Sequence, residues 1–509
     1  MKRLVSLAVA GIALAASAAQ EKLAEAVFTD RMDLITQATK IGEMVGQPMV
    51  GMLAVNGLTS NPLAEAFGAM REGACVSAVV YGDPDAFKPD DPEDFFEALK
   101  FAVAYPASKS KASVLAADED AVETNGVVKI DDMFAAFSED GKWVSFGNDA
   151  EFAKGYLAES ASKKPCNGEA ASVRLTTAAL KLIARAAEDA AGELKKEMAG
   201  KANAQTAVQQ MENFANVLKQ VKDGGFGFKA SDKGLDIRFC AAPVEGTELA
   251  KVGLKSISKS KPLSFAGRDA LVACAYAEDS GNGSDMKNFD RLVEFLTKRG
   301  FKLDFVKTDI QGPVVRQTLD LQKLVEYAKT EGLEACQKIS DPESFLEELQ
   351  LAVAAPKFEA KNPELFTSLS IKGIELPSTA SARFEKALPE MAGRPLVGAA
   401  VISMYGTIRL VADEVMKMFP DNPQLSTIKG LLATLPPVGD DCIAAASWRK
   451  DANLAVLCRV TPGEMKAISS LFMAGFTVVQ SQMGAMTCND LDEDDEGEDD
   501  EDEDDSDGE

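Results

Sequence analysis

Asp91-Pro-Glu-Asp-Phe-Phe-Glu-Ala-Leu-Lys-Phe-Ala-Val-Ala-Tyr-Pro106 returns as Asp341-Pro-Glu-Ser-Phe-Leu-Glu-Glu-Leu-Gln-Leu-Ala-Val-Ala-Ala-Pro356, with ten of sixteen positions identical. Several replacements keep their character, such as Phe96/Leu346 and Phe101/Leu351. Asp-Pro-Glu is a helix start: Asp caps, Pro suits the first helical position, and Glu favours the positive end of the helix dipole. Phe95, Phe96 and Leu99 give that helix an apolar face. Lys100 to Pro106 then reads as a buried strand, ended where proline removes a ladder donor. One helix-to-strand unit met twice predicts a chain of two related halves.

Outward from this stretch, a second correspondence appears. Ala171 to Leu175 reads as a strand, after which Thr176-Thr177 caps an Ala-rich helical region reaching Val221, interrupted near Gly200. A hairpin follows, Gly225 to Ala230 and Leu235 to Cys240, turning at Ser231-Asp-Lys-Gly234. In the second half, Gly398 to Ser403 matches the strand, and Ile408, Val411, Val415 and Met418 mark the helix. Cys442 to Ser447 and Leu454 to Val460 match the hairpin, and a closing helix starts at Thr461-Pro-Gly-Glu464. Cys240 and Cys458 fall at equivalent points in this alignment, and Ala270 to Tyr276 echoes a strand at Cys75 to Tyr81. Residues 20 to about 72 read as helical, residues 127 to 148 as a hairpin region, and residues 284 to 340 as two helices around a strand.

Hairpins joined by helices predict an α+β fold: two homologous halves, each a mainly antiparallel sheet packed against long helices. The polar stretch Lys255 to Pro262 sets the boundary, giving halves at 20–258 and 259–488. The repeat period is far longer than that of solenoids, as expected for domain duplication.

Met1-Lys-Arg3, an uncharged run from Leu4 to Ala16 and small residues at Ala16-Ser-Ala18 form a secretory signal pattern over residues 1–19, cut after Ala18 or Ala19. The expectation is a soluble periplasmic or secreted chain with no membrane insertion after cleavage. Residues 490–509 carry sixteen Asp and Glu and no Lys or Arg, so residues 489–509 read as a disordered acidic tail. Without that tail and the leader's Lys2 and Arg3, the body holds 54 − 2 = 52 basic and 80 − 16 = 64 acidic residues, a net −12. Such a body offers no footprint for nucleic acid.

The chain contains no histidine. That removes Ser-His-Asp and Cys-His hydrolases and His-ligated metal centres, and turns the reading from enzyme towards binding or structural protein. An exported hydrolase using carboxylates or a Ser/Lys pair is the alternative. Ser426-x-x-Lys429 has helical nucleophile–base spacing, but Ser108/Lys111, Ser256/Lys259 and Ser258/Lys261 share it without companion motifs. Gly224-Gly-Phe-Gly227 lacks a phosphate-loop or dinucleotide fingerprint and reads as close packing in a sheet. Asp492, Asp494, Glu496 and Glu503 fall at EF-hand-like positions in the tail, a third possibility of loose Ca2+ binding that acidic composition alone also produces. Of the eight cysteines, Cys442 and Cys458 face each other if the hairpin turns near Lys450-Asp451, a candidate disulfide. The expected ligand or partner, whether protein, glycan or cation, lies at the junction of the halves or at the tail.

Overall fold

The computed structural model describes residues 21–47, 66–87, 95, 97–117, 121–160, 168–197, 202–252, 254–258, 260–277, 304–338, 364–420 and 436–472, with isolated positions at 49, 53, 56, 297, 298 and 430. Ten strands come from the first half: β1 Glu21–Phe28, β2 Val76–Gly82, β3 Lys100–Tyr105, β4 Val122–Thr124, β5 Val127–Ile130, β6 Met133–Phe137, β7 Val144–Gly147, β8 Ala171–Leu175, β9 Val221–Ser231 and β10 Gly234–Pro243. Seven come from the second: β11 Ala270–Ala277, β12 Val306–Gln311, β13 Val314–Leu319, β14 Glu364–Ile371, β15 Leu396–Ile402, β16 Ile443–Lys450 and β17 Asn453–Val460. The helices are α1 Arg31–Met44, α2 Lys111–Ala117, α3 Ala150–Ser160, α4 Thr177–Glu197, α5 Ala202–Lys219, α6 Glu248–Lys251, α7 Leu321–Lys338, α8 Ala380–Ala387, α9 Met404–Met418 and α10, residues 462–472.

All seventeen strands form one sheet. Followed through its pairings, the order is β4-β5-β6-β7-β3-β2-β1-β8-β9-β10 and then β17-β16-β15-β11-β14-β13-β12. Every pairing is antiparallel except β13 with β14. The halves therefore join through one pair of neighbouring strands, β10 and β17. Outward from that seam, β10-β9-β8-β1-β2 and β17-β16-β15-β11-β14 have the same chain order and the same antiparallel sense.

Local chemistry accounts for the elements. Asp30 Oδ1 accepts from Met32 N and Asp33 N and starts α1. Asp149 Oδ1 accepts from Phe152 N at the start of α3, while the Asn148 side chain bridges Leu99 O and Phe101 N of the neighbouring chain. The expected hairpins form at β5–β6–β7, β9–β10 and β16–β17. Gly234, with φ +130°, closes the β9–β10 turn, and a Cβ there would fall on the Val460 carbonyl oxygen. Gly234→Ala is expected to lower unfolding stability by about 2 kcal/mol in urea titrations, through strain and loss of the β10–β17 approach.

Four sequence expectations need correction. Within 284–340, Val306–Gln311 and Val314–Leu319 form a hairpin ahead of α7 where the sequence predicts a single strand, because Gly312 turns the chain at φ +60°. Residues 21–28 are a strand, not helix: Leu23 and Val27 are buried beside β2 and β8, and neighbours on both sides override the helix-forming Glu, Lys and Ala. Ala270–Ala277 consequently occupies the place of β1, between β14 and β15, rather than that of the Cys75 strand. Cys240 is the seventh residue of β10 and Cys458 the sixth of β17, so they stand on opposite faces of the sheet. The repeated stretch behaves differently from the core strands. Its first copy lies in the chain after β2, but its second precedes β14, and Asp341–Pro356 lies outside the described residues.

The two faces of the sheet are packed unequally. On one, α8 lays Phe384 and Ala387 over Ala399, Val401, Ala444, Ala446 and Leu457, the largest core of the molecule. On the same face of the first half, Phe152 and Tyr156 of α3 cover Val79, Tyr81, Ala102 and Ala104. We call this the covered face. Helix α4 closes an end of the sheet with Ala178 and Ala179 against Leu23 and Phe95, and α9 and α10 pack together through Tyr405 and Ala467. No helix among the described residues is long and apolar enough to cross a membrane.

Candidate functional site

Where β10 meets β17, the cross-strand pair Asp236 and Arg459 lies on the covered face. Arg459 Nε donates to Asp236 Oδ1 at 2.5 Å and Nη2 to Oδ2 at 2.7 Å, a bidentate pair with both side chains about 5% exposed or less. Arg459 Nη1 donates to Ala387 O at 2.7 Å at the end of α8, and Nη2 lies 2.7 Å from Glu390 Oε1. Arg238 extends the network, 3.6 Å from Asp236 and 3.5 Å from Glu169. Burial alone would push the Arg459 guanidinium down, but Asp236 and Glu390 outweigh it and hold it above its usual range. Burial raises the Glu169 carboxyl, with Arg238 opposing. Acids and bases of both halves are thus locked together across the seam.

The opposite face at the same strands carries no such charges. One row across the pairing registers reads Ala78, Ala26, Val173, Phe226, Phe239, Val456, Ser447, Gly398, Tyr276, Leu365. The next reads Val76, Phe28, Ala171, Phe228, Ile237, Cys458, Ala445, Ala400, Cys274, Thr367. A third crosses six strands as Leu235, Val460, Ile443, Ile402, Val272, Leu369. None of these residues is charged. Large side chains here remain open to solvent: Phe239 49%, Phe226 46%, Leu369 40%, Phe28 38% and Ile402 37% exposed. We call this the open face. Further out in the first half it becomes covered, where Phe67 and Met70 pack on Val103, Phe146, Ala135 and Val128.

A second buried constellation lies at the starts of α9 and α10. Glu464 Oε1 accepts from Tyr405 N at 2.9 Å, capping α9 from the neighbouring helix. Asp441 Oδ1 accepts from Gly463 N at 3.1 Å and caps α10, while Ser403 Oγ donates to Asp441 O at 2.9 Å. Glu464 is 1% exposed and borders a cavity of about 70 Å³ shared with Tyr405, Pro436 and Lys466. Burial raises its carboxyl to about 7, against the lowering pull of the Tyr405 and Met404 amides. A carboxyl titrating there suits general acid–base work. The adjacent Cys442 is no thiolate nucleophile: burial pushes its thiol up to about 12, so it stays protonated. Arg383, fully buried, donates to Ala270 O, and burial draws its guanidinium down against Cys442, Asp440 and Glu464.

Most of the candidate site residues named from sequence fall beyond what the structure describes. Ser426 and Lys429 lie outside the described residues, as do Asp492, Asp494, Glu496 and Glu503. Ser258 Oγ donates to Glu364 at 2.9 Å and Lys261 pairs with Glu385 at 3.2 Å, so their spacing makes no nucleophile–base pair. Lys111 is engaged by Glu123 rather than Ser108. Gly227 sits where a Cβ would come 2.6 Å from Glu169 Cγ, the close packing read from the sequence. The candidate disulfide is not formed. The hairpin turns at Asp451-Ala452, which sets Cys458 opposite Ala445, while Cys442 bonds to Thr461, and both are free thiols. No group of three or more Cys, Asp or Glu among the described residues could hold a metal ion.

The sequence reading missed the seam network and Glu464. A lone charge within each apolar strand, Asp236 in Leu-Asp-Ile and Arg459 in Cys-Arg-Val, was the available signal. No family model matches the chain, and no curated protein or solved structure is significantly similar to it.

Proposed function

We propose that this is an exported, non-enzymatic binding protein built from two duplicated halves, and that the open face at their junction does the binding. The observation that carries this is three adjoining uncharged rows of the open face, two of them ten strands wide, crossing the seam and rimmed by Arg449, with Phe226 and Phe239 about half exposed at their centre. A contiguous exposed apolar patch of this extent marks an interaction surface, since soluble chains otherwise bury or break such patches. The seam network supports the same reading, because it fixes the register in which the two halves present one continuous face. Duplication is supported by the shared order of the five strands on each side. Export is supported by the leader pattern over residues 1–19. Absence of histidine and the use of Glu464 as a helix cap support a non-catalytic role.

The test is binding of an apolar fluorescent dye to dilute protein. Wild type is expected to enhance dye emission at least about fivefold more than a Phe226→Asp/Phe239→Asp variant with the same far-ultraviolet dichroism. Equal emission from both would sink the proposal.

A further inference from the structure

We infer that the occupant of the open face is a second copy of this chain, docked sheet against sheet. This rests on the open face being the binding surface. With strands about 4.8 Å apart and same-face residues about 6.8 Å apart along a strand, two ten-strand rows and one six-strand row cover roughly 850 Å². Two such faces bury roughly 1,700 Å² in total, close to the standard size of a stable specific interface.

Shape and chemistry both favour a like partner. Phe226, Phe239, Phe228 and Ile237 stand together as a ridge on β9 and β10. On the second-half side lie the small residues Ser447, Ala445, Ala400 and Gly398, while on the other side Ala26, Ala78 and Ala171 stand among Val173, Phe28 and Val76. A two-fold axis set off the seam places the ridge of each copy in the small-residue trough of the other, and the same contacts are then made twice. A small polar ligand would need convergent donors or acceptors, and these rows provide only Ser447, Thr367 and the Tyr276 hydroxyl. Sheets stacked in this way pack about 10 Å apart with interdigitating side chains, which suits rows that set a bulky ridge beside a stretch of small residues.

Net charge sets the salt dependence. Each full-length copy carries −26, so association works against mutual repulsion that salt screens. The dimer is therefore strengthened, not weakened, on going from low to physiological salt.

Sedimentation equilibrium of the full chain at several concentrations and two salt levels tests this. The expected result is a doubling of mass with concentration, favoured by salt, and a dissociation constant raised at least about a hundredfold in Phe226→Asp/Phe239→Asp. Ala445→Arg, on the trough, is expected to do the same through a different residue. A readout on unaltered protein accompanies them: alkylation of Cys458, on the open face, slows as protein concentration rises, while that of Cys240, on the other face, does not. A monomer at every concentration overturns the dimer. If that monomer still binds dye in a Phe226- and Phe239-dependent way, the binding surface stands; if not, it falls too. A dimer indifferent to all three substitutions also overturns the proposal, because it would use another surface.

Discussion

Replacing Asp236 with alanine is expected to cost about 3–5 kcal/mol. The change leaves Arg459 inside the protein with Glu390 and the Ala387 carbonyl but without its bidentate partner. A buried guanidinium stripped of its main counter-charge pays its full desolvation penalty. Removing both charges is a different experiment. In Asp236→Leu/Arg459→Leu nothing charged is left unpaired at the seam centre, so its loss should fall well short of the sum of the single losses. Urea unfolding of Asp236→Leu, Arg459→Leu and the double measures this cycle. Additive losses would mean that the pair does not act as a unit.

Glu464→Gln should change how stability depends on pH. The folded-state carboxyl titrates at about 7, against an ordinary value of 4.5, with burial as the main cause. A raised value means the folded state holds the proton more tightly than the unfolded chain does. The stabilisation is therefore fully present below pH 4.5 and is lost as pH rises to about 7. The loss over that window is about 3 kcal/mol, at 1.36 kcal/mol per unit. Glutamine keeps an oxygen for the Tyr405 amide and cannot ionise, so the variant gains on wild type across this range and parallels it above pH 7.5. Denaturant midpoints at half-unit intervals from pH 4.5 to 8 would show it. Parallel profiles throughout would mean that Glu464 is not the group responsible.

Much of the fold was legible locally, and for identifiable reasons. Ser231-Asp-Lys-Gly234 is turn chemistry, and only glycine fits the +130° backbone at its end. Asp149 and Thr247 each carry a side-chain oxygen that accepts from a helix amide, as at Phe152 and Ala250. Errors came where neighbours outweighed propensity. Glu21–Phe28, with its Glu, Lys and Ala, favours helix in isolation and became a central strand because β2 and β8 pair with it. The cysteine expectation failed by a shift of register. A turn at Asp451-Ala452 sets Cys458 against Ala445, and alternation across a strand permits no compromise.

The amino-acid sequence by itself determined the hairpins β5–β6–β7, β9–β10 and β16–β17, several helix starts and the repeated segments, because these depend on residues a few positions apart. Only the tertiary structure decided that Asp236 meets Arg459, 223 positions away, and that Glu464 caps a helix beginning sixty residues earlier. It also decided which side of the sheet stays open. Leu454-Ala-Val-Leu-Cys458 is apolar in both of its alternating sets, so its pattern cannot say which set faces helix α8 and which faces solvent. That choice follows from where the helices land, and their landing is set by packing between segments far apart in the chain.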